Sequence, residues 1–261
     1  MLHYERMLFD LTGKTALVTG GSRGIGMMIA RGFLDAGAKV CISSRSAQGC
    51  EEAVAELSKH GEVFAIPANL STREECERLI AEFSQRESQL HILVNNAGAT
   101  WGAPLEEFPD QGWDKVLDIN VKGPFYLTRA ALPLLKAVAT QDDPARVINI
   151  GSIDGIGAPQ QRYSYAASKA AIHQLTRVLA RELGYSYITV NAVAPGPFES
   201  KMMAYLLETA GDEIAASSPL GRIGRPDDMA GVAVFLASRA GAYVNGAIIP
   251  VDGGITVVYG L

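Results

Sequence analysis

An excess of basic residues is missing from this chain: 23 Lys and Arg stand against 28 Asp and Glu, a formal net charge of −5. Tracking nucleic-acid phosphates needs clustered cations, so no nucleic-acid partner is expected. Nor does any block of like charge suggest an interaction tail. Cysteine is scarce. Cys41, Cys50 and Cys76 are odd in number and lack metal-ligand spacing. They are expected to be free thiols in a reducing compartment, with no metal site. No run is long and apolar enough to span a membrane. The segment from Met1 to Leu11, which carries Glu5 and Asp10, lacks the apolar stretch of a signal peptide. Linkers, repeats and low-complexity segments are also wanting. These absences predict a soluble, cytoplasmic protein of one domain over residues 1–261, with 1–10 as an N-terminal extension.

What is present is 48% hydrophobic residues, ample for a sizeable core. Short β-branched runs alternate with amphipathic stretches along the whole chain. Strands are expected at Lys14–Thr19, Lys39–Ser43, Val63–Pro67, His91–Val94, Arg146–Ile150, Tyr187–Ala192 and Ala247–Val251. Helices are expected at Met27–Ala36, Ala47–His60, Gln111–Ile119 with Val121–Ala139, Tyr163–Leu183 and Pro226–Ala237. Another runs from a Ser71 cap to about Gln85, with Glu74 completing a capping box. The long helix is expected to be interrupted near Asn120, and Pro124 and Pro133, inside its second part, to bring a kink or local irregularity there. Residues 198–218 are loosely patterned. Such alternation predicts an α/β fold of the doubly wound Rossmann type, a seven-stranded parallel sheet with helices on both faces.

The first strand runs into Gly20-Gly21-Ser22-Arg23-Gly24-Ile25-Gly26 and then a helix. Strand, glycine loop and helix N-terminus together present backbone N–H groups to a phosphate, and side chains there would block a pyrophosphate. The spacing of Gly20, Gly24 and Gly26 differs from G-x-G-x-x-G, but the context supports a dinucleotide. An acidic residue for the ribose hydroxyls of NAD is lacking after the second strand, where Ser44 and Arg45 stand instead. Arg23 can converge on the same place. Two guanidinium groups and a hydroxyl suit a 2′-phosphate, so the expected cofactor is NADP(H).

Tyr165 and Lys169 lie four residues apart, on one face of the expected helix. An ammonium roughly 5 Å from a phenol favours phenolate by about 3 kcal/mol at an effective dielectric near 20, or on the order of two pKa units. That predicts a tyrosine lowered toward the range of a general acid/base. Ser152, the stretch Asn95-Asn96-Ala97-Gly98 and Pro195-Gly196 all follow strand ends. In a parallel sheet they share the edge that carries the glycine loop.

With these motifs in their order and spacing, from about Leu11 to Gly254, the chain resembles the short-chain dehydrogenase/reductase family. The resemblance implies an Asn120–Ser152–Tyr165–Lys169 tetrad. Ser152 would bond the substrate oxygen, Tyr165 would transfer the proton, and Lys169 would hold the nicotinamide ribose. Asn120 would hold a water leading to solvent. It further implies cofactor contacts from Asn69, Leu70, Asn96, Ala97, Gly98 and, on the nicotinamide side, Pro195, Gly196, Phe198 and Ser200. Asn69 departs from the aspartate usual there. Residues 198–218 would be the substrate-binding lid, with Trp101, Phe198, Met202, Met203, Tyr205, Leu206 and Leu207 on the substrate wall and Tyr163 on that wall or in packing.

Ala145–Ser152 and Leu220-Gly221-Arg222 look closest to NADPH-dependent 3-oxoacyl-thioester (3-oxoacyl-ACP) reductases of the rhamnolipid-synthesis type. A gluconate-type polyol or other ketone dehydrogenase stays open, as does a non-catalytic NADP(H)-binding regulator. Reductases acting on acyl carrier protein carry basic residues where this chain has Thr140-Gln141-Asp142-Asp143 and Gly184-Tyr185-Ser186, which disfavours an acidic carrier. The resemblance also implies a homotetramer (or homodimer) built through the long helices and the last strand.

Overall fold

The computed structural model describes residues 8–200 and 203–258, with backbone alone at 204–207. Met202 and the side chains of Tyr205, Leu206 and Leu207 therefore lie outside the described residues.

Seven parallel strands form one sheet in the order β3-β2-β1-β4-β5-β6-β7. They are β1 (Thr15–Thr19), β2 (Lys39–Ser43), β3 (Val63–Ala65), β4 (Ile92–Asn95), β5 (Ala145–Ile150), β6 (Ile188–Pro195) and β7 (Ile248–Val251). Strands β1, β4, β5 and β6 are buried along their whole length. This is why they read as continuous apolar runs and not as alternation. Helices α1 (Gly24–Asp35), α2 (Ala47–Leu57), α3 (Arg73–Arg86), α4 (Asp110–Leu117), α5 (Gly123–Val138), α6 (Tyr163–Leu183), α7 (Ala204–Ala216) and α8 (Pro226–Ala237) connect them. Two apolar clusters fill the two faces of the sheet. One gathers Ile29, Phe33, Val40, Ile148 and Met229, and the other Leu79, Phe83, Leu93, Leu127 and Val190. Each such fully buried side chain contributes roughly 1.5–3 kcal/mol.

The strand order reverses between β1 and β4, so their carboxyl ends open a crevice at the switch point. Helix α1 starts there and packs along α8 with little space between: a Cβ added to Gly32 would sit 2.6 Å from Ala230 Cβ. Three local expectations are corrected. The cap of α3 is Thr72, whose hydroxyl accepts from Glu75 N at 3.4 Å. Ser71 instead donates to Asn69 Oδ1, so the Ser71–Glu74 box does not form. Second, the loosely patterned 198–218 stretch contains α7, broken by a non-helical Ala210. Third, Pro133 lies inside α5, which runs through it unbroken. No kink accompanies it, whereas the interruption expected near Asn120 is present as a π turn over Asp118–Lys122 with Asn120 at its centre.

Candidate active site

The glycine loop is held by β2, with Gly20 N and Gly21 N both donating to Ser43 O. Gly20 and Gly24 adopt φ of 64° and 52°, the left-handed region that favours glycine. Gly26 has no room for a side chain: its Cβ would lie 2.3 Å from Gly20 O and 2.5 Å from Asn96 Nδ2. Arg23 precedes α1 in an extended conformation without a side-chain cap, so the first-turn N–H groups of α1 stay available to an anion.

One hydroxyl joins this loop to the next. Thr19 Oγ1 donates to Val94 O and accepts from Asn96 N at 2.9 Å and Ala97 N at 3.0 Å. Asn96 Nδ2 reaches back to Thr19 O and Gly20 O. Sequence reasoning passed over Thr19, although a threonine at the end of a buried strand was the available signal.

A cleft of about 1170 Å³ runs along this edge. Gly20, Ser22, Arg23, Gly24, Ile25, Ser44, Arg45, Leu70, Asn96, Ala97, Gly98 and Ser200 all line it, as expected. Ser43, unexpected, lines it too, and its buried hydroxyl has no partner. Arg23 and Arg45 form no ion pair among the described residues. Two unpaired guanidinium groups, an unsatisfied hydroxyl and a glycine cradle fit a phosphorylated dinucleotide. Other expected cofactor residues stand outside the lining. Gly26 is buried beneath the loop, and Asn69 Oδ1 is taken by Ser71. Pro195 and Gly196 close β6, with Gly196 against Asp252. Phe198 is 2% exposed and packs its ring on Gly224, so it belongs to the core and not to a substrate wall. Trp101 lies on Gly112 with Lys115 Nζ 5.1 Å above its ring, and Tyr163 stacks edge-on with Phe108.

The tetrad residues come together. Tyr165 and Lys169 project from α6, and Lys169 Nζ lies 5.5 Å from the Tyr165 ring centroid while donating to Ile150 O at 2.8 Å. Ser152 Oγ accepts from Asp154 N at 3.1 Å, and its hydroxyl stands near enough to the Tyr165 phenol to pull its pKa down. With that N–H seated on it, the hydroxyl keeps its own proton for an oxygen in front of Tyr165.

Electrostatics differ from the sequence arithmetic. Burial raises the Tyr165 phenol above its ordinary value, against a lowering from the Ser152 hydroxyl. Burial also pulls the Lys169 ammonium down to about 8. The Coulomb sum omitted desolvation, and here desolvation dominates both groups. The predicted two-unit fall of the phenol is therefore not found in this chain. Behind them, burial lowers His173 to about 4, and its Nε2 has no partner.

Asn120 is a clamp. Its Oδ1 accepts from Ala99 N at 2.8 Å, and its Nδ2 donates to Ala99 O and Ser168 Oγ, both at 2.9 Å. The side chain is thus fully used. The Asn120 carbonyl lies in the π turn, where Gly123 N–H reaches Asp118 O five residues back, and Pro124, four residues on, has no N–H with which to restore an α-helical bond to it.

A family profile described as enoyl-(acyl carrier protein) reductase matches residues 20–256. The chain belongs to the short-chain dehydrogenase/reductase family. Among curated members, the rhamnolipids biosynthesis 3-oxoacyl-[acyl-carrier-protein] reductase of Pseudomonas aeruginosa is 50% identical over 249 residues, 94% of this chain and 97% of that one. The 5-keto-D-gluconate 5-reductase of Escherichia coli is 35% identical, covering 96% and 98%. The Pseudomonas aeruginosa RhlG/NADP active-site complex superposes with a TM-score of 0.94 at 49% identity, covering 96% of this chain and 99% of the other. The fold and the family expected from the motifs hold.

Proposed function

We propose that this chain is an NADP(H)-dependent oxidoreductase that reduces a 3-oxoacyl thioester to the 3-hydroxyacyl thioester. Two observations carry the reading together: Ser152, Tyr165 and Lys169 gather where β5 ends, and two unpaired arginines line the cleft beside the glycine loop. Arg23, Ser44 and Arg45 would hold the 2′-phosphate, and the glycine loop with the α1 N-terminus the pyrophosphate. When bound, the cofactor supplies the hydride. Ser152 donates to the substrate carbonyl oxygen, where negative charge grows during reduction. Tyr165 hands its proton to that oxygen. Lys169 would be the next group in the proton route, and the Asn120 carbonyl would hold a water beyond it.

Support for this substrate class comes from the 50%-identical reductase that acts on 3-oxoacyl groups. The carrier argument favours coenzyme A over acyl carrier protein: Asp143 is occupied by Lys14 and Arg146, and Tyr185 is 88% exposed without a cation beside it on Gly184–Ser186. Residues 198–218 act as the lid. Homotetramer formation through α4, α5 and α6 is supported by exposed Trp113, Phe125 and Val178. A cytoplasmic setting is supported by three buried free thiols and by the lack, among the described residues, of any helix long and apolar enough to cross a membrane.

NADPH oxidation is to be followed with acetoacetyl-CoA, longer 3-oxoacyl thioesters and 5-ketogluconate side by side. Thioester turnover that disappears in Tyr165→Phe, and a switch toward NADH in Arg45→Asp, are expected. Turnover of 5-ketogluconate alone would move the chain to the sugar-acid reductases. NADPH binding without turnover of any ketone would make it a regulator.

A further inference from the structure

Between Ser152 and α6 lies an ion pair that neither the cofactor nor the substrate explains. Asp154 Oδ2 meets Arg162 Nη1 at 3.1 Å, with side chains 19% and 30% exposed. Both residues are built into the site. The Asp154 amide seats Ser152 Oγ. Arg162 is the residue from which α6 starts, its carbonyl accepting Ala166 N at 2.8 Å. The short 3-10 turn Ile153–Gly155 is pressed onto α6 at the level of Lys169: a Cβ on Gly155 would lie 2.6 Å from the Lys169 carbonyl carbon. Next to Arg162, Gln161 is held at φ 57° and its carbonyl accepts Ala103 N at 3.1 Å. The ten-residue segment that links the substrate-binding hydroxyl to the catalytic helix is thus closed by one pair of opposite charges.

We infer that Asp154 and Arg162 are positioning residues that hold Ser152 against Tyr165 and act on the Tyr165–Lys169 couple with opposite charge. The inference rests on Tyr165 being the proton donor. The groups facing the couple leave few alternatives among the described residues. From its own helix come Arg162 and His173, the latter neutral over the working range because burial holds it near about 4. Asp154 comes from the 3-10 turn. Strand β5 and its end offer the Ile150 carbonyl and the Ser152 hydroxyl, and the π turn offers Asn120, none of which ionises. The Asp154 carboxylate favours the ammonium of Lys169 and the protonated phenol, whereas Arg162 favours the phenolate.

A latch that was only mechanical would fail alike whichever partner was lost. Charges acting directly make the two losses differ in sign. The pH profile of kcat for reduction of acetoacetyl-CoA is to be measured for Asp154→Asn, Arg162→Gln and the double variant. A tyrosinate difference titration against Tyr165→Phe, without cofactor, accompanies it. The alkaline limb, where the proton donor is lost, is expected to move down by about half to one pH unit in Asp154→Asn and up by a similar amount in Arg162→Gln. The double variant returns it near the wild-type position, and Arg162→Lys leaves it in place. Movement of both single variants in one direction, or of neither, overturns the inference. So does a shift in Arg162→Lys equal to that in Arg162→Gln. Full activity in Tyr165→Phe would instead remove the proton-donor reading itself, a separate result.

Discussion

Replacing Asn120 by alanine separates a structural clamp from a group acting only in turnover. Three hydrogen bonds disappear, two to the backbone of Ala99 and one to Ser168 Oγ, all between 2.8 and 2.9 Å. At about 1 kcal/mol net for each, the loss is about 3 kcal/mol, and more if Ala99 N–H finds no water. For a chain of this size that is a fall in Tm of about 6–12 °C. Asn96 to Gly98 line the cleft just before Ala99, so weaker NADPH binding should accompany the loss. Thermal unfolding by circular dichroism with a urea midpoint reads the first effect, and fluorescence titration of NADPH the second. Ser168→Ala, which removes a single member of the clamp, should cost about 1 kcal/mol. Should Asn120→Ala melt with the wild type while its turnover collapses, the clamp argument is wrong.

Pro124→Ala restores an N–H four residues beyond Asn120, which lets the π turn revert to α-helical bonding at the Asn120 carbonyl. We expect stability unchanged or higher, kcat lowered several-fold and the NADPH KM unaltered; an unchanged kcat would take that carbonyl out of the proton route. Lys169→Met abolishes turnover and should stabilise the fold near neutral pH. The lysine falls to about 8 when folded, against 10.5 ordinarily, so the unfolded chain binds the extra proton between those values and wild-type stability rises with pH across that window. Below it the full cost stands, about 3 kcal/mol, offset by about 1 kcal/mol for the Ile150 carbonyl bond. The variant's advantage of about 2 kcal/mol should fade toward pH 10, and a less stable variant at pH 7 would refute the reasoning.

Much of the fold was legible because local and long-range signals agree. The ends of α6 at Tyr163 and Leu183 and of α8 at Pro226 and Ala237 fall where the pattern predicts. Strand β2 matches Lys39–Ser43. The cap of α3 was misplaced by one residue because Ser71 and Thr72 offer equivalent hydroxyls, and only the turn through Asn69 decides between them. Helix α7 escaped notice because a break at Ala210 interrupts its period. Within the site, residue identities were readable and environments were not. Asn120 finds its partner 21 residues back in the chain. Phe198 is fixed by Gly224, across a loop. The Tyr165 phenol obeys burial, a quantity no spacing in the chain encodes.

Thr19 Oγ1 accepts from two amides and donates to one carbonyl, using a single atom to bind the end of β1 to the loop after β4. The joint between these two cleft-lining loops is in consequence a rigid plate, spent in its hydrogen bonds and unable to adjust to guests of different size. If residues 198–218 form the lid proposed above, accommodation of short or long substrates falls to that segment, where the break of α7 at Ala210 would serve as the hinge. Efforts to retune which ketone is accepted should leave the plate alone and work on the hinge.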